Sequence, residues 1–146
     1  MKLLLIAFVS AFFFVGPTWF TDYTQAKTEA VSSHKLVLIN FSGSDWCGPC
    51  IRMKNEIFST EAFEKYAGDN LILVRADFPR SKKNQLSKEQ IQKNELLAEK
   101  YNKDGKFPLT VLVNAQGKVL KEWEGFPNET PARFINEIST IVNASK

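Results

Sequence analysis

The feature that most constrains this chain is a pair of cysteines, Cys47 and Cys50, that follows closely after an apolar run. The run, residues 36–41, is nearly continuous, which is typical of a strand covered on both faces. It ends at the Ser-Gly-Ser of residues 42–44, and apolar side chains then recur at helical spacing over residues 51–58. The pattern predicts a strand, a tight loop and a helix whose first turn carries a cysteine.

The remaining pattern completes a β-α, β-α, β-β-α order, which predicts an α/β fold. A capping box at Ser87 and Gln90 begins a polar helix, and Thr130-Pro131 begins a C-terminal one. The further strands are predicted at residues 71–76, 109–113 and 119–124, the last two joined by turn residues 114–117.

The spacing of the two cysteines favours redox chemistry over a structural disulfide. A bond that closes so short a loop restricts the unfolded chain very little. At the start of a helix, unpaired backbone N–H groups and the helix dipole favour the thiolate form of a cysteine. We therefore expect Cys47 to be the nucleophile, and Cys50, one turn further along and more buried, to attack the mixed disulfide that forms.

Other uses of a Cys-x-x-Cys pair fit this sequence less well. Haem attachment requires a histidine directly after the second cysteine, where this chain has Ile51. A structural zinc site needs four ligands, and the chain offers two cysteines and one histidine, His34. We expect no metal site, but a Cu(I) carrier that uses the two thiolates stays open as an alternative from another functional class.

The N-terminus predicts export. A lysine precedes an apolar stretch at residues 3–15, which has the length of a signal-peptide core. Residues 1–26 are therefore predicted to be a signal peptide, cleaved after Ala26 with Ala30 as the second choice, or an N-terminal anchor. Residues 27–34 are predicted to be a flexible linker, and the domain to span 35–146. The net charge of +3, spread without basic runs, excludes nucleic acid as a partner.

The sequence Trp46-Cys47-Gly48-Pro49-Cys50 is identical to the active-site motif of the thioredoxin family, which the chain resembles over residues 35–146. The resemblance implies the thioredoxin fold, an α/β fold with a central mixed sheet flanked by helices, and it makes Gly48 and Pro49 motif residues. It also implies that Phe107-Pro108 corresponds to the family's cis-proline, which faces the cysteines. Trp46, Phe107 and Pro108 are then expected to contact the substrate, with no cofactor beyond the redox-active disulfide.

Two departures from the family pattern affect these expectations. The family has a buried aspartate that accepts the proton of the second cysteine, whereas this chain has Asn40, which cannot act as a base. We expect slower attack by Cys50 unless Asp45 or a water relay substitutes. Residues 79–104 are also longer than in a minimal thioredoxin, and their ordinary composition favours an elongated helix over a docking element.

The function that these observations predict is reduction of disulfides in exported proteins by a periplasmic thiol–disulfide oxidoreductase. The Gly-Pro dipeptide between the cysteines resembles the dipeptide at this position in reducing members of the family. A reductant outside the cytosol must be recharged, which implies a membrane thiol carrier as electron donor. We expect a monomer. A disulfide oxidase or isomerase on the same fold is the nearest alternative, because sequence does not reveal the reduction potential.

Overall fold

The computed structural model describes residues 15–146, so residues 1–14 of the predicted signal segment lie outside the described residues. Its five strands are β1 (Trp19–Phe20), β2 (Leu36–Ser42), β3 (Leu71–Asp77), β4 (Leu109–Val113) and β5 (Val119–Glu124). They form one mixed sheet in the order β1-β3-β2-β4-β5. Strands β1 and β2 run parallel to β3, and β4 runs antiparallel to both β2 and β5.

Helices cover both faces of the sheet, which confirms the predicted α/β class. The helices are α1 (Tyr23–Ser33), α2 (Gly48–Met53), α3 (Glu61–Asn70), α4 (Lys88–Tyr101) and α5 (Pro131–Ala144), and a π-helical turn (Lys54–Phe58) extends α2. Successive side chains of β2 alternate between the two faces. Val37 and Ile39 pack with α1 and α4, while Leu38 packs with α2, α3 and α5. Between residues 15 and 146 no helix is both long and apolar enough to cross a membrane.

Helix α1 occupies the segment that the sequence indicated as a flexible linker, so the prediction for residues 27–34 is wrong. Ala26 and Ala30 are fully buried against the sheet. The Asp22 side chain caps the helix by accepting the Thr24 N–H at 2.8 Å, and it pairs with Lys93 of α4 at 2.9 Å. The folded unit therefore begins before residue 35, with β1 and α1 included.

The extra length of residues 79–104 is not one elongated helix, which is a second correction. Residues 79–87 form a loop with a short 3-10 turn at Lys82–Asn84. Helix α4 begins only after Ser87, whose hydroxyl accepts the Gln90 N–H at 3.1 Å as the capping box predicts.

The strand directions bring three separate loops to one edge of the sheet. Parallel strands β2 and β3 end side by side, with Ser42 beside Asp77. Antiparallel β4 begins at the same edge, with Leu109 beside Phe41. The cysteine loop after β2, the loop after β3 and the Phe107-Pro108 dipeptide before β4 consequently meet there.

Candidate active site

Cys47 and Cys50 form a disulfide at this edge, with their Cα atoms 5.2 Å apart. Cys47 is the N-cap residue of α2, and its Sγ accepts the backbone N–H of Cys50 at 3.3 Å. Gly48 and Pro49 are exposed in the first turn of α2. A thiolate formed at Cys47 would face the unpaired N–H groups of the helix start, which stabilise negative charge.

The two cysteines are buried to nearly the same extent in this oxidised state. Cys47 is 5% exposed and Cys50 is 4% exposed, although the sequence predicts the second to be more buried. The distinction between them therefore comes from their positions at the cap and within the first turn of α2.

Trp46 is fixed beside the disulfide by contacts with the loop after β3. Its indole Nε1 donates to the Phe78 carbonyl oxygen at 2.7 Å, and its ring meets Phe107 edge-on with centroids 5.5 Å apart. The Arg80 guanidinium carbon lies 3.7 Å from the indole centroid, within cation–π range. Gly43 lies directly under the ring, where a Cβ atom would overlap the indole.

The peptide bond between Phe107 and Pro108 is cis, as the resemblance predicts. Pro108 is buried, and its carbonyl oxygen accepts the N–H of Gly125 at 2.8 Å. The Phe107 ring lies between Trp46 and Phe78, with centroids 5.5 and 5.4 Å away. This aromatic cluster joins the cis-proline dipeptide to the cysteine loop.

Asn40 is buried in β2, on the face that α2 covers. Its Nδ2 donates to Thr110 Oγ1 at 3.2 Å, and that hydroxyl lies 3.8 Å from Met53 Sδ in α2. The neutral amide is therefore hydrogen-bonded inside the core, on the side of the sheet that carries the helix of the cysteines.

Asp45 lies in the cysteine loop but faces the loop after β3. Its carboxylate accepts the backbone N–H groups of Arg80 and Ser81 and the Asn84 amide, each at 2.9 Å. These hydrogen bonds, the one from Arg80 foremost, hold the pKa of Asp45 below its ordinary value. A carboxylate that is occupied and weakly basic is a poor proton acceptor, so the geometry assigns Asp45 to loop attachment rather than to a proton relay.

Three residues of this site were missed by sequence reasoning, namely Gly43, Phe78 and Arg80. Each acts through a contact with Trp46. The sequence feature that could have indicated them is the pair of buried strands β2 and β3. If these strands are parallel neighbours, the residues that follow each of them lie together at one edge of the sheet. The sequence does not reveal which side chains then touch.

Among the residues that the structure describes, the candidate metal donors at this site are the two cysteines. Within the described part of the chain, no group of three or more His, Cys, Asp or Glu side chains is placed to hold one. Met53, the nearest thioether along α2, is fully buried against Thr110.

The sequence model of the thioredoxin-like family matches residues 18–115. The chain belongs to this family. The match includes β1 and α1, in agreement with a folded unit that begins before residue 35.

Individual relatives agree with this assignment. The chain is 36% identical over 121 residues to the disulfide bond reductase DsbH of Chlamydia pneumoniae, covering 83% of this chain and 70% of the relative. It is 25% identical to the thioredoxin-related protein DsbJ of the same organism, but covers only 35% of that longer protein. A solved structure of a DsbH oxidoreductase superposes with a TM-score of 0.80 at 31% identity, covering 98% of this chain and 94% of the other.

Fold, family and cysteine geometry together define the activity class: this protein is a thiol–disulfide oxidoreductase. The disulfide that the structure contains is the bond between Cys47 and Cys50.

Proposed function

We propose that the protein reduces disulfides of exported proteins. The observation that carries this direction is the 36% identity to a disulfide bond reductase over most of both chains. The Gly48-Pro49 dipeptide between the cysteines, which resembles that of reducing thioredoxins, supports the same direction.

The reaction begins with the dithiol form. The Cys47 thiolate attacks one sulfur of the substrate disulfide, and the other substrate sulfur leaves as a thiolate that takes up a proton. The Cys50 thiol then loses its proton and attacks Cys47 Sγ, which releases the second substrate thiol and forms the Cys47–Cys50 disulfide. Two electrons pass to the substrate in each cycle. Asn40 supplies no base for the second step, so water is the proposed proton acceptor.

Substrate contact is proposed for the surface around the pair. Trp46 offers a half-exposed aromatic edge next to Cys47. The cis bond before Pro108 presents the Phe107 backbone for strand-like pairing with an extended substrate segment. The aromatic cluster with Phe78 holds these two elements in fixed relative positions.

The proposed compartment is the periplasm, since residues 1–15 carry the pattern of an export signal or anchor. The Dsb names of the relatives fit such an extracytoplasmic pathway. A reductant in that compartment must regain two electrons after each turnover. We therefore propose a membrane thiol carrier as its electron donor.

The reduction potential tests the direction. The full chain, purified in mild detergent, is equilibrated with graded dithiothreitol or glutathione buffers, and the two thiols are trapped by alkylation and counted by mass. A value below about −230 mV supports a reductase, whereas one above about −180 mV identifies an oxidase or isomerase. A Cys47→Ser variant, which cannot form the bond, provides the baseline. A pair that never cycles would contradict the redox function altogether.

A further inference from the structure

The loop after β3 is attached to the cysteine loop at several points. Asp45 accepts three hydrogen bonds from it, each at 2.9 Å, and Trp46 donates one to the Phe78 carbonyl oxygen at 2.7 Å. We call residues 79–84 the basic loop. Its position is therefore tied to that of the reactive disulfide, so any charge on it is presented next to the substrate.

Three cationic side chains of the basic loop, those of Arg80, Lys82 and Lys83, are exposed. Across residues 15–146, none of them lies within 4.0 Å of a carboxylate oxygen. The Asp45 carboxylate is directed instead at backbone N–H groups and an amide. Arg80 is held against the Trp46 ring at 3.7 Å, which places one of these charges beside the residue that precedes the nucleophile.

Two other cations that lie close in the chain to site residues are paired with carboxylates of the protein itself. Arg52, two residues beyond Cys50, pairs with Glu56 at 2.9 Å. Lys106, which precedes Phe107, pairs with Glu124 at 2.9 Å. The basic loop therefore differs from these two positions, because it presents three exposed cations without a carboxylate partner, whereas Lys54, four residues after Cys50, presents one.

We propose that the basic loop is a docking surface for acidic segments that flank the disulfide of the protein substrate. This inference rests on the proposed function as a reductase and names a preference among its substrates. Exposed charges act over about 10 Å at moderate ionic strength, a reach sufficient to orient a disulfide that approaches Cys47. The loop takes no part in the electron transfer, which passes from the dithiol to the substrate sulfurs as described above.

The test uses three disulfide-bonded peptides that differ only in the residues flanking their cysteines, which are glutamate, glutamine or lysine. The reduced full chain is mixed with each peptide, quenched with acid and alkylated, and the second-order rate constant is obtained from the peptide thiols formed. We expect the glutamate peptide to react about tenfold faster than the glutamine peptide at low salt, and the lysine peptide to react more slowly. This preference should shrink toward unity at about 0.5 M salt.

Charge reversal in the loop provides the decisive comparison. The double variant Lys82→Glu/Lys83→Glu should lose or invert the preference for the glutamate peptide, and Lys82→Gln/Lys83→Gln should weaken it. The matched control, Lys118→Glu/Lys146→Glu, makes the same change in net charge at exposed residues near the opposite end of the sheet. It should retain the preference.

The outcomes separate the two proposals. Equal rates for the three peptides, or the same preference in the loop variant as in the wild type, would overturn the docking surface while leaving the reductase function intact. Loss of the preference in the control variant as well would assign it to net charge rather than to the loop, which also overturns the inference. If the wild type reduced none of the peptides, the reductase function itself would fail.

Discussion

Gly43 lacks a side chain at the one place where the Trp46 indole approaches the backbone most closely. A Cβ atom at Gly43 would overlap the ring, so either the indole or the loop has to shift. We predict that Gly43→Ala lowers the free energy of unfolding by about 1–3 kcal/mol, the usual cost of overpacking. Urea denaturation of the variant and the wild type measures this change in the free energy of unfolding.

A control for this substitution exists in α3. Gly68 has open space around its Cβ position and lies inside a helix, so Gly68→Ala should be neutral or stabilising by up to about 1 kcal/mol. Equal stability of the Gly43→Ala variant and the wild type would show that Trp46 is free to move. Slower reduction of substrates by Gly43→Ala is a further expected result, because the same ring borders the site.

Asn40 permits a second prediction at the residue scale. Its side chain lies on the α2 face of β2 and is hydrogen-bonded to Thr110. Asn40→Asp would place a base there, and we expect Cys50 to resolve the mixed disulfide at least about tenfold faster. Stopped-flow measurement of the second product thiol reports that step. The Asn40→Leu variant, similar in size but without a base, should show no acceleration, and an unchanged rate in Asn40→Asp would exclude the missing base as the cause of slow resolution.

At the scale of elements, the sequence predicts those strands and helices whose burial produces a clear local pattern of apolar residues. Strands β2 to β5 begin and end within one residue of their predicted bounds, because their burial produces dense apolar runs. Helix α1 was missed since the contacts that bury it are made by two alanines, Ala26 and Ala30, which give almost no hydrophobic signal. Helix α3 was missed although Thr60 caps it and Phe63 and Ala67 form its buried face.

The candidate site likewise contains features that the sequence predicts and features that it does not. The cysteine pair and the cis bond before Pro108 could be predicted because each is carried by adjacent residues. The attachment of the basic loop could not, since Asp45 and its partners Arg80, Ser81 and Asn84 are 35 to 39 residues apart along the chain. Their contact depends on the parallel pairing of β2 with β3.

The attachment of the basic loop through Asp45 should weaken at low pH. The pKa of Asp45 is lower in the folded protein than its ordinary value of 3.8, so its carboxylate stabilises the fold above pH 3.8, and that contribution is lost as the pH falls through the folded-state pKa. We predict that Asp45→Ala and Asp45→Asn lose less stability than the wild type between pH 5 and pH 2. Urea midpoints across this range measure the effect.

Amide hydrogen exchange distinguishes the two variants. Asp45→Asn keeps an acceptor for the Arg80 or Ser81 N–H, so exchange at these amides should rise less than in Asp45→Ala. An identical pH dependence of stability in the wild type and both variants would show that the Asp45 carboxylate does not hold the loop.

At the scale of the whole molecule, the N-terminal elements β1 and α1 belong to the folded unit, so the position of signal cleavage affects stability. β1 pairs with β3 through Trp19 and Phe20, and the Trp19 ring contacts Phe58 with centroids 5.1 Å apart. Cleavage after Ala26 would remove β1, the Asp22 cap and the first turn of α1. We expect a chain that begins at Lys27 to lose more than about 3 kcal/mol of stability, comparable to deletion of one large buried aromatic.

Processing of the exported chain should therefore spare the folded unit. We predict that the protein recovered from the periplasm of a Gram-negative host either retains its N-terminus or begins before Trp19, because a cut within α1 exposes Ala26 and Ala30 together with the sheet surface that they cover. Intact-mass measurement identifies the first residue. A stable, active species beginning at Lys27 would contradict this prediction, and it would mean that β3 needs neither β1, which pairs with its middle residues, nor the first turn of α1 to hold the cysteine site at its C-terminal end.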